Sequence, residues 1–512
     1  MSSPTERDPL PPNHNAIGSS ATNINAVSRP TLIWIRAAIC IPVFLSAMDG
    51  TIAATLQQPI GESLELSYIS YIASYVGASY LLSTCCFTPL YGRLSDIFGR
   101  KGAMLLALTL FTIGRLLCVT APSMEALIAG RVIAGMGGGG VMTVSNITVT
   151  DLIPLRYRGL FQGLLNILLG AGVGLSGPLG DWISDNFCWR IAFGFQVPLL
   201  VLAAILVSIH VNIILPKAPL TLKQKLAKVD WLGSVTLVVA VSSILIGFSF
   251  QATEDLDWSD PLVWGPLVFS IFTFASFWLV EAKVSPEPVL PMRLLLSRTP
   301  LAVALTNFFG SVVSFSVLYN VPQYFMALAL SVGSVGAGWV MRRPGKYWWV
   351  IIASTALSLF ASIRIATWDQ NQPSEFDFWF DVIPNGLGFA AMLTSTLIAI
   401  IACISRENMA VATGITYLFR TTGQVLGVSL SETLFQAILM KQLRERMPGP
   451  DASIIINTVR HNAGLVSYLE GAQLHAAVDS FAIALRVVFI CQTALSLITM
   501  MCALPIEEKP LP

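Results

Sequence analysis

Asp49, Arg115, Arg131, Arg420 and Glu432 all fall inside long apolar runs of the chain. An ionisable group in hydrocarbon costs at least about 2.5 kcal/mol to insert, so each is a candidate for function. For Asp49 the chemistry would be proton binding and release. Desolvation favours a protonated carboxyl and a nearby cation favours the carboxylate, so a movable guanidinium or a cationic solute could switch its occupancy. The competing reading is an aspartate at a helix end that caps or is solvated. Arg131 stays charged at any relevant pH, so it can tune a carboxylate without titrating, or form a structural ion pair. Arg420 and Glu432 are twelve residues apart, a little over three helical turns and so roughly on one face. A gating pair or a substrate contact is open to them. Arg115 and Asp181 suggest no mechanism beyond substrate contact or snorkelling.

Tyr71, Tyr75, Tyr80, Tyr319 and Tyr324 could line a cavity for cationic solutes through their ring faces, against a simpler packing role. His210 and His475 are isolated. No nucleophile–base set, nucleotide loop or metal-type spacing stands out, so the expectation is no enzyme, no cofactor, no metal and no ATP-driven pumping. The eight cysteines sit mostly in apolar segments and read as small buried hydrophobes. The sequon at Asn146 lies in an apolar run and is expected to stay unglycosylated.

The elements that must position these groups are membrane helices. Of 512 residues, 54% are hydrophobic and 12% charged, with a mean hydropathy of +0.70. A soluble chain carries about a quarter charged residues. The net charge of +1 marks no nucleic-acid domain. With roughly 20 apolar residues needed per crossing, spans fall near 32–57, 68–90, 102–120, 124–149, 160–183, 191–215, 231–251, 261–281, 301–325, 327–341, 347–367, 379–403, 409–439 and 481–504. Basic loops at Arg93 to Lys101, Arg156 and Arg158, Lys217 to Lys228, and Lys283 to Arg298 alternate with acidic ones. By the positive-inside rule the basic loops and both termini are cytosolic. Residues 1–29, rich in Pro, Ser and Asn, read as a disordered cytosolic tail, and 505–512 as a second tail.

The tenth span is short. Roughly 14 residues from Ala327 to Val340 would cover about 21 Å, against about 30 Å of hydrocarbon. Either the helix is shielded by neighbours or a piece of a normal span is absent.

Gly92-x-x-x-Asp96-x-x-Gly99-Arg100-Lys101 resembles the loop between helices 2 and 3 of the major facilitator superfamily. Asp49-Gly50-Thr51-Ile52, Arg131 to Gly140, and Gly170-x-Gly172-x-Gly174-x-x-Gly177-Pro178-x-Gly180 resemble its fourteen-span drug:proton antiporters. Phe195 to Pro198, Glu287 to Pro291 and Tyr417 to Gly423 are similar to fungal members that carry basic amino acids into the vacuole. Gly338-x-x-x-Arg342-Arg343-x-Gly345-Lys346 is a degenerate second copy of the basic turn, as parallel repeats imply.

The resemblance implies an all-α membrane protein. Two six-helix bundles, 30–215 and 299–504, would rock about a midplane site, with two extra helices in the linker 216–298. It also implies a part in proton transfer for Arg131. Gly92, Asp96, Gly99, Arg100 and Lys101 would act in conformational switching, Asp96 facing a helix N-terminus of the other half and the basic residues meeting lipid headgroups or acidic partners. Topogenic charge alone is the plainer alternative. Gly170, Gly174, Gly177 and Pro178 would serve close packing, with or without gating. The expected function is proton-coupled antiport of small cationic or amphipathic solutes by a monomer in the bilayer, first basic amino acids at the vacuolar membrane. The alternatives are a plasma-membrane exporter of drugs or toxic metabolites, and a transport-dead sensor or defective product motivated by the short tenth span.

Overall fold

In the computed structural model, residues 29–64, 69–153, 155–211, 229–254, 258–284, 291–320, 324–342, 346–368, 375–404, 408–447 and 471–509 are described, with the single residues 224 and 456. Fourteen long helices run through them: α1 (Arg29–Thr55), α2 (Ile69–Phe98), α3 (Arg100–Thr120), α4 (Met124–Leu152), α5 (Leu155–Asn186), α6 (Gln196–His210), α7 (Trp231–Glu254), α8 (Pro261–Lys283), α9 (Arg298–Asn320), α10 (Tyr324–Arg342), α11 (Trp348–Ala366), α12 (Glu375–Cys403), α13 (Met409–Arg446) and α14 (Gly471–Ala503). A short helix, Trp189–Gly194, leads into α6. Eleven spans among the described residues are long and apolar enough to cross a membrane by composition alone.

Local chemistry sets several of the ends. The Ser123 hydroxyl accepts from Ala126 N ahead of α4, and Asp260 accepts from Leu262 N with Pro261 opening α8. Between α2 and α3 there is one residue, Gly99, at φ +86°, a backbone that side-chain-bearing residues rarely adopt. The face of the bundle carrying this link is called the turn face below, and the opposite one the far face.

α10 is longer than expected. It has 19 residues, about 28 Å at 1.5 Å per residue, close to the hydrocarbon thickness. Part of the gain is at its start, where α9 stops at Asn320 rather than near 325, and the rest carries it on to Arg342.

The two halves meet along two seams, α2 on α13 and α5 on α10. At the first, a Cβ on Gly92 would lie 3.0 Å from the Ala410 carbonyl oxygen. At the second, a Cβ on Gly338 would lie 2.6 Å from the Gly159 carbonyl. Gly92 and Gly338 open the two copies of the basic turn motif, so the repeat in sequence becomes a repeat in packing. Both approaches sit at the turn face, where backbones come close because neither residue carries a side chain.

The extra helices pack at the same join. Leu237 and Val241 of α7 are buried with Cys85 and Cys86 of α2, Ala304 of α9, and Val411 and Ile415 of α13. α8 packs on α7, and Ile271 and Phe272 on it face outward, as lipid contact requires. At the C-terminal end, the buried Tyr347 hydroxyl donates to Glu507 O at 2.8 Å and accepts from Lys509 N at 2.8 Å. Desolvation pushes this phenol up from its ordinary range, so it remains a donor. The tail expected at 505–512 is therefore pinned to the turn face as far as Lys509.

Candidate functional site

Helix α4 enters the N-terminal bundle through its glycines. Gly135 and Gly139 lie against Ser83, Thr84 and Thr88 of α2, while Gly137 faces Phe111 of α3. That nesting carries Arg131, two turns into α4, against Asp49, about two turns before the end of α1. Arg131 Nη1 donates to Asp49 Oδ1 at 2.6 Å. Its Nη2 donates to the Asp49 backbone oxygen at 3.0 Å, and its Nε to the Val76 oxygen on α2 at 3.0 Å. Arg115, from the last turns of α3, also pairs with Asp49 Oδ1.

All three side chains are 0% exposed. Aromatic rings close over them: Arg131 lies over Tyr80 at 4.6 Å, and Arg115 over Phe193 at 5.1 Å and Phe111 at 5.3 Å. The Tyr80 hydroxyl donates to the Ser46 oxygen at 3.0 Å, which fixes its ring. Asp49 is thus no solvated cap. Two guanidiniums face one carboxylate, and Asp49 Oδ2 with Arg115 Nε and Nη1 lack hydrogen-bond partners among the described residues. The cluster lies inside one bundle, toward the far face, away from the seams between halves. Arg115, which suggested no mechanism in the sequence, belongs to it. Asp181 is exposed.

In the turn motif, Asp96 lies one turn beyond Gly92, whose backbone approaches Ala410 in the first turn of α13. Of the two contacts expected for Arg100, lipid headgroups or acidic partners, the structure shows carboxylates of its own chain. This guanidinium is buried, with Nη1 on Asp96 Oδ1 at 2.7 Å and on Ser95 Oγ at 2.9 Å, and Nε on Asp151 Oδ2 at 2.6 Å. Burial beside two carboxylates outcompetes headgroup contact. Lys101 is half-buried. Asp151, at the end of α4, was missed because nothing in the sequence pairs positions 51 residues apart.

A second polar layer bridges the halves. Asn166 Nδ2 of α5 donates to Ser334 Oγ of α10 at 2.7 Å and to Thr394 Oγ1 of α12 at 3.4 Å. Gln162 Nε2 donates to Asn166 Oδ1 at 3.5 Å. The Tyr417 hydroxyl of α13 lies near the side chains of Gln162, Asn146 and Arg420. Cys85 Sγ and Thr422 Oγ1 meet at 3.2 Å. Arg420 and Glu432 do not form an ion pair among the described residues. Twelve residues separate them by about 18 Å along α13, and Glu432 accepts instead from Gln436 Nε2 at 2.8 Å.

Among the packing residues, Gly170 is buried, Gly174 and Gly177 are half-buried and Pro178 is exposed. The close approaches of α5 to α1 are made by Gly172, against Phe44 and Ala47, and Gly180, against Ile52 and Thr55. The side chains of Tyr75 and Tyr319 lie outside the described residues, as does the segment 1–28.

Residues 39–428 match the Major Facilitator Superfamily. The chain is 35% identical to the multidrug resistance protein fnx1 of Schizosaccharomyces pombe, covering 93% of this chain and 92% of that one. It is 31% identical to the vacuolar membrane amino acid uptake transporter fnx2 of the same yeast, over 96% and 87% of the two chains. Identity to vacuolar basic amino acid transporter 1 of Saccharomyces cerevisiae is 30%, over 78% and 77%. Among solved structures, the human organic anion transporter MFSD10 superposes with a TM-score of 0.58 at 14% identity, covering 93% of this chain and 100% of that one. The proton:xylose symporter XylE does so at 0.58 and 13%, covering 94% and 98%. With the motif glycines at both seams and the fourteen-helix order, these matches show that the chain belongs to the Major Facilitator Superfamily, a family of multi-pass membrane transporters and not of enzymes.

Proposed function

We propose that the protein is a proton-coupled antiporter in which Asp49 is the proton site, and that it exchanges protons for small cationic or amphipathic solutes, first basic amino acids, at the vacuolar membrane. The observation that carries this reading is the sealed contact of Asp49 with Arg131 and Arg115. Two guanidiniums on one oxygen suit a carboxylate at Asp49. Protonating it in place would leave two guanidiniums without their anion in a site that water does not reach, at a cost of several kcal/mol. Proton loading therefore requires at least one arginine to move. Arg131 also holds backbone oxygens of α1 and α2, so its movement shifts α4 against both helices. Proton occupancy is in this way linked to bundle geometry, as alternating access needs.

By the positive-inside rule, the basic turn loops support a cytosolic turn face and cytosolic termini. The Gly92 and Gly338 approaches then make this a state closed toward the cytosol. The names of fnx2 and of the Saccharomyces relative support the vacuolar reading. The name of fnx1 supports the alternative, export of toxic compounds across the plasma membrane. The 19 residues of α10 weigh against the transport-dead alternative that the short tenth span motivated.

The test is proton release on solute binding. Liposomes holding the protein and an internal pH dye, with an acidic lumen, are given external L-arginine. The reading predicts lumenal alkalinisation that tracks arginine entry; arginine entry without alkalinisation would contradict it.

A further inference from the structure

The buried cation between the two halves is not used by the proton site. Arg420 is 7% exposed and has no carboxylate partner among the described residues. Its guanidinium lies beside the Tyr417 ring, 5.4 Å from the centroid. Around it are neutral amides and hydroxyls: Tyr417 lies near Asn146 and Gln162 of the opposite half, and Gln162 continues to Asn166, which meets Ser334 and Thr394. Asn146 Nδ2 is committed to the Met142 oxygen at 2.8 Å, while its Oδ1 is buried with no partner. An uncompensated charge at a membrane interior costs several kcal/mol and marks a site that a ligand completes. The lone acceptor at the periphery of the same Tyr417 side chain calls for a donor on the same ligand.

We infer that Arg420, Tyr417 and Asn146 form a subsite for the head of an α-amino acid, with the carboxylate on Arg420 and the ammonium on Asn146 Oδ1. A guanidinium presents two parallel N–H donors to a carboxylate, a match that neither an ammonium nor a neutral amide reproduces. A solute bound there bridges α4 to α13, one helix from each half, so it sits where rocking would sense it. This inference rests on the transport reading and sharpens it, because a solute without a carboxylate leaves Arg420 uncompensated.

The experiment compares L-arginine with agmatine, which has the same guanidinium tail and amine but no carboxylate. Labelled arginine is bound to the full chain in lipid nanodiscs and displaced by each compound. Wild-type protein is expected to prefer arginine by about tenfold or more, the worth of a charge-assisted contact. Arg420→Gln is expected to bring the two within about threefold, and Arg420→Lys to restore part of the preference. Equal displacement by agmatine in wild-type protein, a preference unchanged in Arg420→Gln, or no arginine binding would each overturn the inference. The wild-type comparison alone decides the matter if either variant fails to fold. Proton-driven uptake of both compounds without discrimination would sink this subsite and leave the antiport reading standing. A binding preference without any pH-linked transport would do the reverse.

Discussion

Arg131 grips Asp49 at two points: Nη1 on the carboxylate at 2.6 Å and Nη2 on the same residue's backbone oxygen at 3.0 Å. The first bond depends on the protonation state of Asp49 and the second does not. A lysine could keep the charge but not both contacts along with the third, to Val76. Arg131→Lys is therefore expected to lose about 1–3 kcal/mol of stability and to loosen the link between proton and solute flux. Thermal unfolding and paired flux measurements check this; unchanged stoichiometry would show that the fork geometry is dispensable.

Arg115 should behave in the opposite way. It is the second cation on one carboxylate, and its Nε and Nη1 have no hydrogen-bond partners among the described residues. Removing it leaves Asp49 paired with Arg131, so no buried charge is stranded and a fully desolvated, incompletely bonded cation is gone. Arg115→Leu is expected to leave the unfolding temperature unchanged or raised, whereas Arg131→Leu lowers it. A large destabilisation by Arg115→Leu would mean that both cations are needed to hold Asp49.

Gly338→Val places a branched side chain where even a Cβ would be 2.6 Å from the Gly159 carbonyl. Both partners are helix backbone, so the seam must part. The variant is expected to open the turn face and speed maleimide labelling of a cysteine placed at Ser334, with residue 92 left as glycine. Labelling at the wild-type rate would contradict the closed-seam reading.

In the turn motif, burial separates two adjacent basic residues. Arg100 bridges Asp96 and Asp151, and losing it strands two carboxylates. Arg100→Ala is expected to cost about 3–5 kcal/mol, and Lys101→Ala, at a half-buried position, well under that. Equal losses in thermal unfolding would argue that charge at this face matters more than pairing.

Much of the fold was legible because apolar length is a local property, and each expected span has its helix. The α9–α10 boundary was less so. Residues near Tyr324 are apolar enough to belong to either helix, though Pro322 disfavours a helical residue before it and points to an end at Asn320. For the site, burial of Asp49 and Arg131 could be anticipated from their place in apolar runs. The role of Arg115 could not, since pairing residues 66 positions apart depends on how α3 and α1 cross, which hydrophobic periodicity does not encode. The interhelical layer from Arg420 to Ser334 was invisible for the same reason: asparagine, glutamine and threonine in a membrane helix announce polarity without naming partners.

The most direct measurement compares net accumulation with exchange in Asp49→Asn. Liposomes containing wild-type or variant protein are assayed for arginine accumulation against a pH gradient, and separately for exchange of labelled for unlabelled arginine without one. Exchange needs the helices to rock but no net proton movement. The account predicts that Asp49→Asn, folded by gel filtration, keeps exchange and loses accumulation. Accumulation by the variant at the wild-type level would contradict the assignment of the proton to Asp49.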